Sequence, residues 1–360
     1  MINYVSEPNH IAKGYCSLPY TKLLINAKGS VSMCCHQLKQ IGQLDEDTDI
    51  MEIWNGPLAK EIRSAVSDQK IHPVCSSWNT CPFLVKEKIE MDIPVHKNFA
   101  YPTYLEICLP DSHCNIGGLK PTKDNPACIM CKRNFDVPDV PDRTKLFCQK
   151  TRKLMPYLRQ LMILGTAEPF WKDIVFDVMD DLGFDNHNHH ITFITNTNGL
   201  CVPQRVREKF FRKVLLSDIS FSLDAATPDV YQKIRRLDQF DLVIDNLKSW
   251  IKMRSDFGGK YKHRVVIYNN INLLNVHEMP DMVRMAKDLG VDELFMLPTH
   301  DHSGNVALGE ILLGPKNLNV FKKFSEEAAA LAEQIDLKLT YTARFDIVPP
   351  SPSELVNIQL

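Results

Sequence analysis

The sequence has no cysteine beyond Cys201, no large surplus of either charge and no long apolar run. Each absence removes a class of function. No apolar stretch approaches the roughly 18 residues that a membrane-spanning helix needs, so none is expected. The opening "MINYVSEPNHIAKGY" has neither the basic n-region nor the apolar h-region of a secretory signal. Lys plus Arg total 42 against 44 for Asp plus Glu, which leaves no global field to attract nucleic acid or an anionic membrane. The expectation is a cytoplasmic chain with no membrane partner and no evident nucleic-acid binding. Its 360 residues suggest two domains, or one barrel plus an appendage, at about 100–200 residues per domain.

What is present is cysteine, eleven in all, and unevenly placed. Cys16, Cys34, Cys35, Cys75 and Cys81 come early; Cys108, Cys114, Cys128 and Cys131 follow, then Cys148 and Cys201. A reducing cytosol keeps thiols out of disulfides, so clustered cysteines there point to metal binding or catalysis.

Beyond residue 100 the chain alternates strand and helix patterns. "TYLEICL" (103–109), "QLMILGT" (160–166), "HITFITN" (190–196), "DISFSLD" (218–224), "HRVVIYNNI" (263–271) and "ELFMLP" (293–298) are near-continuously apolar, as parallel strands covered on both faces should be. Between them, "KDIVFDVMDDLG", "PQRVREKFFRKV", "TPDVYQKIRRLDQFDLVIDNLKSWIKMR" and "MPDMVRMAKDLG" read as helices, several opened by Pro and closed by Gly. The fold class is therefore α/β, a parallel sheet closed or half-closed into a barrel, with six strands against the eight of a complete α/β barrel. Working residues in such folds sit at the carboxyl ends of the strands.

The loop after the first of these strands, "CNIGGLKPTKDNPACIMC", carries Cys114, Cys128 and Cys131. A structural zinc would need a fourth ligand, for which His113 or the strand residue Cys108 is a candidate. A three-cysteine iron–sulfur cluster leaves one iron open to a substrate or cofactor. Spacing alone leaves both metals open.

Several motifs in order resemble the radical S-adenosylmethionine (SAM) enzymes. "YLEICLPDSHCNI" resembles the family's first strand and Cys-Asn cluster start, and "ACIMCKR" its closing half. The usual spacing is C-x3-C-x2-C; here thirteen residues separate Cys114 from Cys128, and the Gly- and Pro-rich insert "GGLKPTKDNP" can loop out and return. "LGTAEPFW" resembles the GGE segment, "ITNTNG" the strand-ending TNG turn, and "ISFSLDAATPDVYQKIRR" the fourth strand and its helix. The stretch "NNINLLNVHEMPDMVRMAKDLGVDELFMLP" resembles the fifth and sixth strands. The resemblance implies a partial (β/α)6 radical SAM barrel over residues 96–345. It also implies a 4Fe–4S cluster on Cys114, Cys128 and Cys131 whose fourth iron takes the amino and carboxylate groups of SAM. Glu168, Asn198, Ser222, Asp224, Arg235, Ile271, Asn272 and Leu297 are the implied cofactor contacts, with Arg235 a bidentate partner for the carboxylate.

The N-terminal segment resembles the SPASM appendage of these enzymes, in its shortened single-cluster twitch form. Twelve residues separate Cys16 from Gly29, G-x4-C follows at Cys34, and "CSSWNTC" supplies Cys75 and Cys81. The resemblance implies an auxiliary 4Fe–4S cluster on Cys16, Cys34, Cys75 and Cys81 within residues 1–95; a zinc ribbon is the other reading of these thiols. Cys35 would point away from Cys34 if both lie on a strand.

The remaining features say less about chemistry. "PTHDHSGN" (298–305) should lie at the barrel mouth, making His300, Asp301 and His302 candidates for substrate contact or proton transfer, or simply a solvated loop. Cys201 reads as an inert core thiol and "DNHNHH" (185–190) as a loop before a strand. Residues 346–360 form a proline-rich tail. The expected function is an oxidoreductase or maturase that generates a 5′-deoxyadenosyl radical. Its expected partners are a peptide, protein or small polar substrate and a flavodoxin- or ferredoxin-type reductant. A nucleotide or nucleoside rearrangement and a non-catalytic zinc-bound scaffold are the other readings.

Overall fold

The computed structural model describes residues 11–14, 16–35, 37, 39–68, 70, 72–76, 91–94, 100–110, 113–117, 122, 127–131, 141–165, 167–299 and 310–341. Cys81, His300, Asp301, His302 and the tail 346–360 lie outside the described residues.

Twelve strands are described: β1 (Ile11–Gly14), β2 (Lys22–Ile25), β3 (Ser30–Ser32), β4 (Gly42–Gln43), β5 (Met91–Pro94), β6 (Tyr104–Leu109), β7 (Gln160–Gly165), β8 (Thr192–Thr197), β9 (Ser217–Ser222), β10 (His263–Ile271), β11 (Glu293–Pro298) and β12 (Leu339–Tyr341). Ten form one sheet in the order β12-β11-β10-β9-β8-β7-β6-β2-β3-β4, while β1 and β5 pair antiparallel. From β6 to β12 every pairing is parallel and follows chain order. That is the sheet of a partial barrel, and β6 to β11 are the six strands expected from the sequence.

The sheet also continues into the N-terminal segment. β2 runs parallel to β6, with Lys22 opposite Tyr104 and Ile25 opposite Ile107, and β3 and β4 add antiparallel hairpin strands beyond it. Lys22 Nζ lies 2.5 Å from Glu106 Oε2, and both side chains are buried. Breaking such a pair would leave a buried charge uncompensated. The cysteine-rich segment is thus tied to the barrel through both backbone and charge.

Alternation along β6 explains the layering. Leu105, Ile107 and Leu109 enter the apolar core, whereas Tyr104, Glu106 and Cys108 take the other face. The helices Ile174–Leu182, Gln204–Lys213, Pro228–Arg235, Phe240–Asp256 and Met279–Leu289 return the chain between successive strands. An aromatic cluster of Phe170, Phe210, Phe211, Phe221 and Trp250 packs among them at centroid distances of 4.9 to 5.9 Å. Gly183 and Gly290, both at positive φ, end the first and last of these helices.

The continuous helix expected over "TPDVYQKIRRLDQFDLVIDNLKSWIKMR" is two helices. Arg236 adopts φ 57° and ψ 28°, the left-handed conformation that terminates a helix, and the second helix starts at Phe240. No helix among the described residues is long and apolar enough to cross a membrane.

Candidate functional site

A cavity of about 320 Å³ opens at the carboxyl ends of the barrel strands. Cys114, Cys128 and Cys131 line it, together with Glu168, Asn198, Ser222, Arg235 and Leu297. Eight of the sequence-derived candidates therefore meet at one place, drawn from five separate stretches of chain.

The three-cysteine loop reaches the cavity despite its long insert because the insert is pinched at its base. Gly117 sits at φ +73°, and a Cβ built on it would lie 2.8 Å from the Cα of Ala127. Only glycine allows that approach, so the chain leaves at Gly117 and is back alongside by Ala127, one residue before Cys128. Cys131 N donates to the Cys128 carbonyl, closing the C-x2-C turn. Ile129 N donates to the Ile234 carbonyl, which anchors the loop to the helix Pro228–Arg235.

Glu168 is 2% exposed and tightly held. Its carboxylate accepts hydrogen bonds from Asn198 N at 2.7 Å, Thr197 Oγ1 at 2.8 Å and Phe170 N at 3.2 Å. Burial pushes its carboxyl up to about 7, against the opposing pull of those donors and of Arg235. The TNG turn serves this carboxylate directly: Gly199, at φ +79°, brings its N–H onto Thr197 Oγ1 and leaves Asn198 N on Glu168. Asn198 Nδ2 reaches across to Asn115 Oδ1 at 2.6 Å, and Glu168 N donates to the His113 carbonyl, so the loops after β6, β7 and β8 are bonded together.

Arg235 projects from the end of its helix to the same place. Its guanidinium pairs with Asp224, donates to the Ser222 carbonyl at 3.0 Å and approaches Cys128 Sγ at 4.0 Å. Burial is the strongest single influence and opposes its charge, but the Asp224 carboxylate, Cys128 and Tyr231 together outweigh it and raise the pKa.

Three of the expected cofactor contacts do not line the cavity. Asp224 is fully buried behind Arg235, its Oδ1 accepting from Asn270 N at 2.8 Å. Ile271 and Asn272 are buried as well. Alternation along β10 sends Ile271 to the core and directs Tyr268 and Asn270 to the cavity, at positions earlier in the strand than the sequence reading chose. Tyr268, Asn270, Thr197 and Thr299 are lining residues that reading missed. The period-2 pattern of "HRVVIYNNI", whose buried Val265 and Ile267 fix the outward face, carried the signal for the first two.

The two candidates for a fourth zinc ligand are engaged elsewhere and do not line the cavity. His113 Nε2 lies 2.7 Å from Asp142 Oδ2. Burial, and then Glu106, pushes the Cys108 thiol up to about 12. Among the described residues no three His, Cys, Asp or Glu side chains converge on a single metal-ion position; the three loop cysteines share a cavity wall instead. Cys201 stands near Glu168 and Cys114, its thiol pushed up to about 12 by burial first and by those neighbours second. The histidines of 187–190 pack edge to face on one another before β8, at the amino end of the strand.

In the N-terminal segment Cys16 precedes the short helix Leu18–Thr21, Cys34 follows β3 and Cys75 lies on the helix Pro73–Ser76. Cys16, Cys34 and Cys75 are half-buried, and Cys35 is exposed.

Residues 16–82 match the family SPASM, an iron–sulfur cluster-binding domain, and the match begins on Cys16. The structure of SuiB from Streptococcus suis bound to precursor peptide SuiA is similar over 92% of this chain and 73% of its own, with a TM-score of 0.50 and 10% identity. Histidine-tagged anSMEcpe with bound AdoMet is similar over 67% of this chain and 64% of its own, with a TM-score of 0.50 and 14% identity. The chain has the radical SAM fold, with a SPASM domain at its front. In that radical SAM barrel the three-cysteine loop, the Glu168 loop and the TNG turn occupy the carboxyl rim of β6, β7 and β8. A GTP 3′,8-cyclase of Clostridium acetobutylicum is 26% identical over 129 residues, 34% of this chain. The chain spans 38% of that curated relative's length and half of the SAM-bound SuiB chain.

Proposed function

We propose that the protein is a radical SAM enzyme that binds a 4Fe–4S cluster through Cys114, Cys128 and Cys131. The observation that carries this is their convergence with buried Glu168 and Arg235 on one cavity at the strand ends. The donor set fits the group. Three thiols can ligate a cluster and leave one iron open. Arg235 Nε and Thr299 Oγ1, on cavity-lining residues, have no hydrogen-bond partner among the described residues, so a polar ligand would complete them. When bound, cluster and SAM supply one-electron cleavage of the sulfonium to a 5′-deoxyadenosyl radical that abstracts hydrogen from the substrate.

The chain's own part is binding and orientation. Glu168, held by the TNG turn, would accept from the amino group of methionine, and such a cationic partner would draw its raised carboxyl back toward the ionised form. Ser222 and Asn198 line the same wall as further polar contacts, and Leu297 supplies an apolar one. Asp224 orients Arg235, so the cation is fixed before any ligand arrives. The SPASM domain holds an auxiliary 4Fe–4S cluster on Cys16, Cys34, Cys75 and Cys81 that passes electrons or orders the substrate pocket.

The substrate is peptidyl or small and polar, undergoing oxidation or crosslinking, with electrons from a flavodoxin- or ferredoxin-type donor. The likeness to peptide-bound SuiB over 92% of this chain supports a peptide. The cyclase relative favours a nucleotide as the second reading. Stimulation of 5′-deoxyadenosine release by a peptide or by GTP distinguishes them.

Anaerobic iron and acid-labile sulfide content tests the proposal. About eight irons per chain support both clusters, and about four remove the auxiliary one. Zinc without sulfide would overturn the reading and return the chain to a zinc-binding scaffold.

A further inference from the structure

Thirteen residues of chain separate Cys114 from Cys128, and the two halves of the loop have separate anchors. The second half is held by the helix Pro228–Arg235: Ile129 N donates to the Ile234 carbonyl at 2.9 Å, and Cys131 N donates to the Cys128 carbonyl at 3.0 Å. The approach of Gly117 to Ala127 closes the insert but leaves Cys114 three residues outside it. Cys114 is instead bracketed from the loops after β7 and β8. On one side of it the His113 carbonyl accepts from Glu168 N at 3.0 Å. On the other, Asn115 Oδ1 accepts from Asn198 Nδ2 at 2.6 Å.

Both bonds come from one hub. Asn198 N donates to Glu168 Oε2 at 2.7 Å, and Asn198 Oδ1 accepts from Leu200 N at 3.0 Å. The bond from Leu200 fixes which end of the Asn198 amide faces Asn115. Of the two bonds that bracket Cys114, only Asn115–Asn198 joins side chains; the other is backbone to backbone and does not depend on which residue stands at 113. Hydrogen bonds behind a metal site hold its ligands in place, and losing one typically costs about 10–100-fold in metal affinity.

We propose that Asn115 is the positioning residue for Cys114, holding that thiol in register with Cys128 and Cys131 through the Asn198 amide. The inference rests on the assignment of a cluster to these three cysteines. The turn that orients Glu168 then also supports one of the thiols, so both sides of the centre are built on the same hub.

The test compares the full chain with Asn115→Leu, which has no acceptor, and Asn115→Asp, which keeps one for Asn198 Nδ2. Amide hydrogen exchange of metal-free protein is the first readout. Peptides covering 113–117 should exchange several-fold faster in Asn115→Leu and at the parent rate in Asn115→Asp, with peptides covering 127–131 unchanged in both. Equal exchange over 113–117 in all three proteins would overturn the proposal. Faster exchange throughout the chain of Asn115→Leu would make Asn115 a general structural residue and overturn it too. The second readout is the reduced-cluster EPR signal that shifts on adding SAM, followed while a chelator removes iron. That signal should decay about tenfold faster in Asn115→Leu than in the parent, and at the parent rate in Asn115→Asp. Equal decay in all three proteins, or faster decay in both variants, would overturn the proposal. A parent chain that takes up no iron and sulfide would overturn the cluster assignment itself, while the hydrogen-exchange comparison would still decide whether Asn115 holds Cys114.

Discussion

Asp224 holds Arg235 from behind the cavity rather than facing into it. The two are eleven residues apart in sequence, and the helix Pro228–Arg235 turns the chain so that its last residue comes back to the loop where it began. Asp224→Ala would leave the guanidinium buried without its carboxylate. The expected loss is about 3–5 kcal/mol in denaturant unfolding of metal-free protein, with much of it recovered on adding Arg235→Met. A loss no larger than that of an exposed pair, under about 1 kcal/mol, would contradict the pairing.

Glu168 ties stability to pH. Its carboxyl is raised to about 7 in the folded chain from an ordinary value near 4.5, so the folded state holds the proton more tightly than the unfolded one. Its contribution is present in full below the ordinary value and is lost as pH rises toward 7. Metal-free protein should lose stability across that window relative to Glu168→Gln, which cannot ionise. Parallel pH profiles for the two proteins would show that Glu168 is not buried as described.

Gly165 ends β7 at φ +142°, where an added Cβ would come 2.6 Å from the Leu109 carbonyl oxygen. Backbone cannot give way there as a flexible side chain could. Gly165→Ala should therefore cost more than about 1 kcal/mol and splay β6 from β7 at the cavity, lowering iron uptake as well as melting temperature. Unchanged values for both would remove Gly165 from the site.

Cys75→Ala tests whether the two proposed clusters are separate. It should lose the auxiliary irons, about four of about eight, while SAM cleavage without substrate turnover remains measurable. Loss of all iron would make the SPASM domain a structural prerequisite of the barrel centre.

The barrel strands were legible because each is a near-continuous apolar run: the sequence runs 263–271 and 293–298 coincide with β10 and β11. That the three cysteines of 114–131 share one cavity wall was legible even across a thirteen-residue gap, since Gly117 supplies the pinch that the gap demands. Long-range pairing was not legible. Nothing local in "KLLI" says that β2 adds to β6 through Lys22 and Glu106, as a short apolar strand suits a separate hairpin equally well. The helix break at Arg236 was also hidden, because left-handed Arg carries no glycine or proline to mark it. Asp224 was misplaced for a related reason: Ser-x-Asp after a strand describes a rim residue and a buried counter-ion in the same letters.

The central claim is that Cys114, Cys128 and Cys131 assemble a SAM-cleaving centre. The most direct measurement is anaerobic, dithionite-driven formation of 5′-deoxyadenosine by the full chain and by its Cys131→Ala variant. The account predicts product from the unmodified chain and none from the variant. Product from both would move the centre away from this loop, and product from neither would contradict the enzymatic reading.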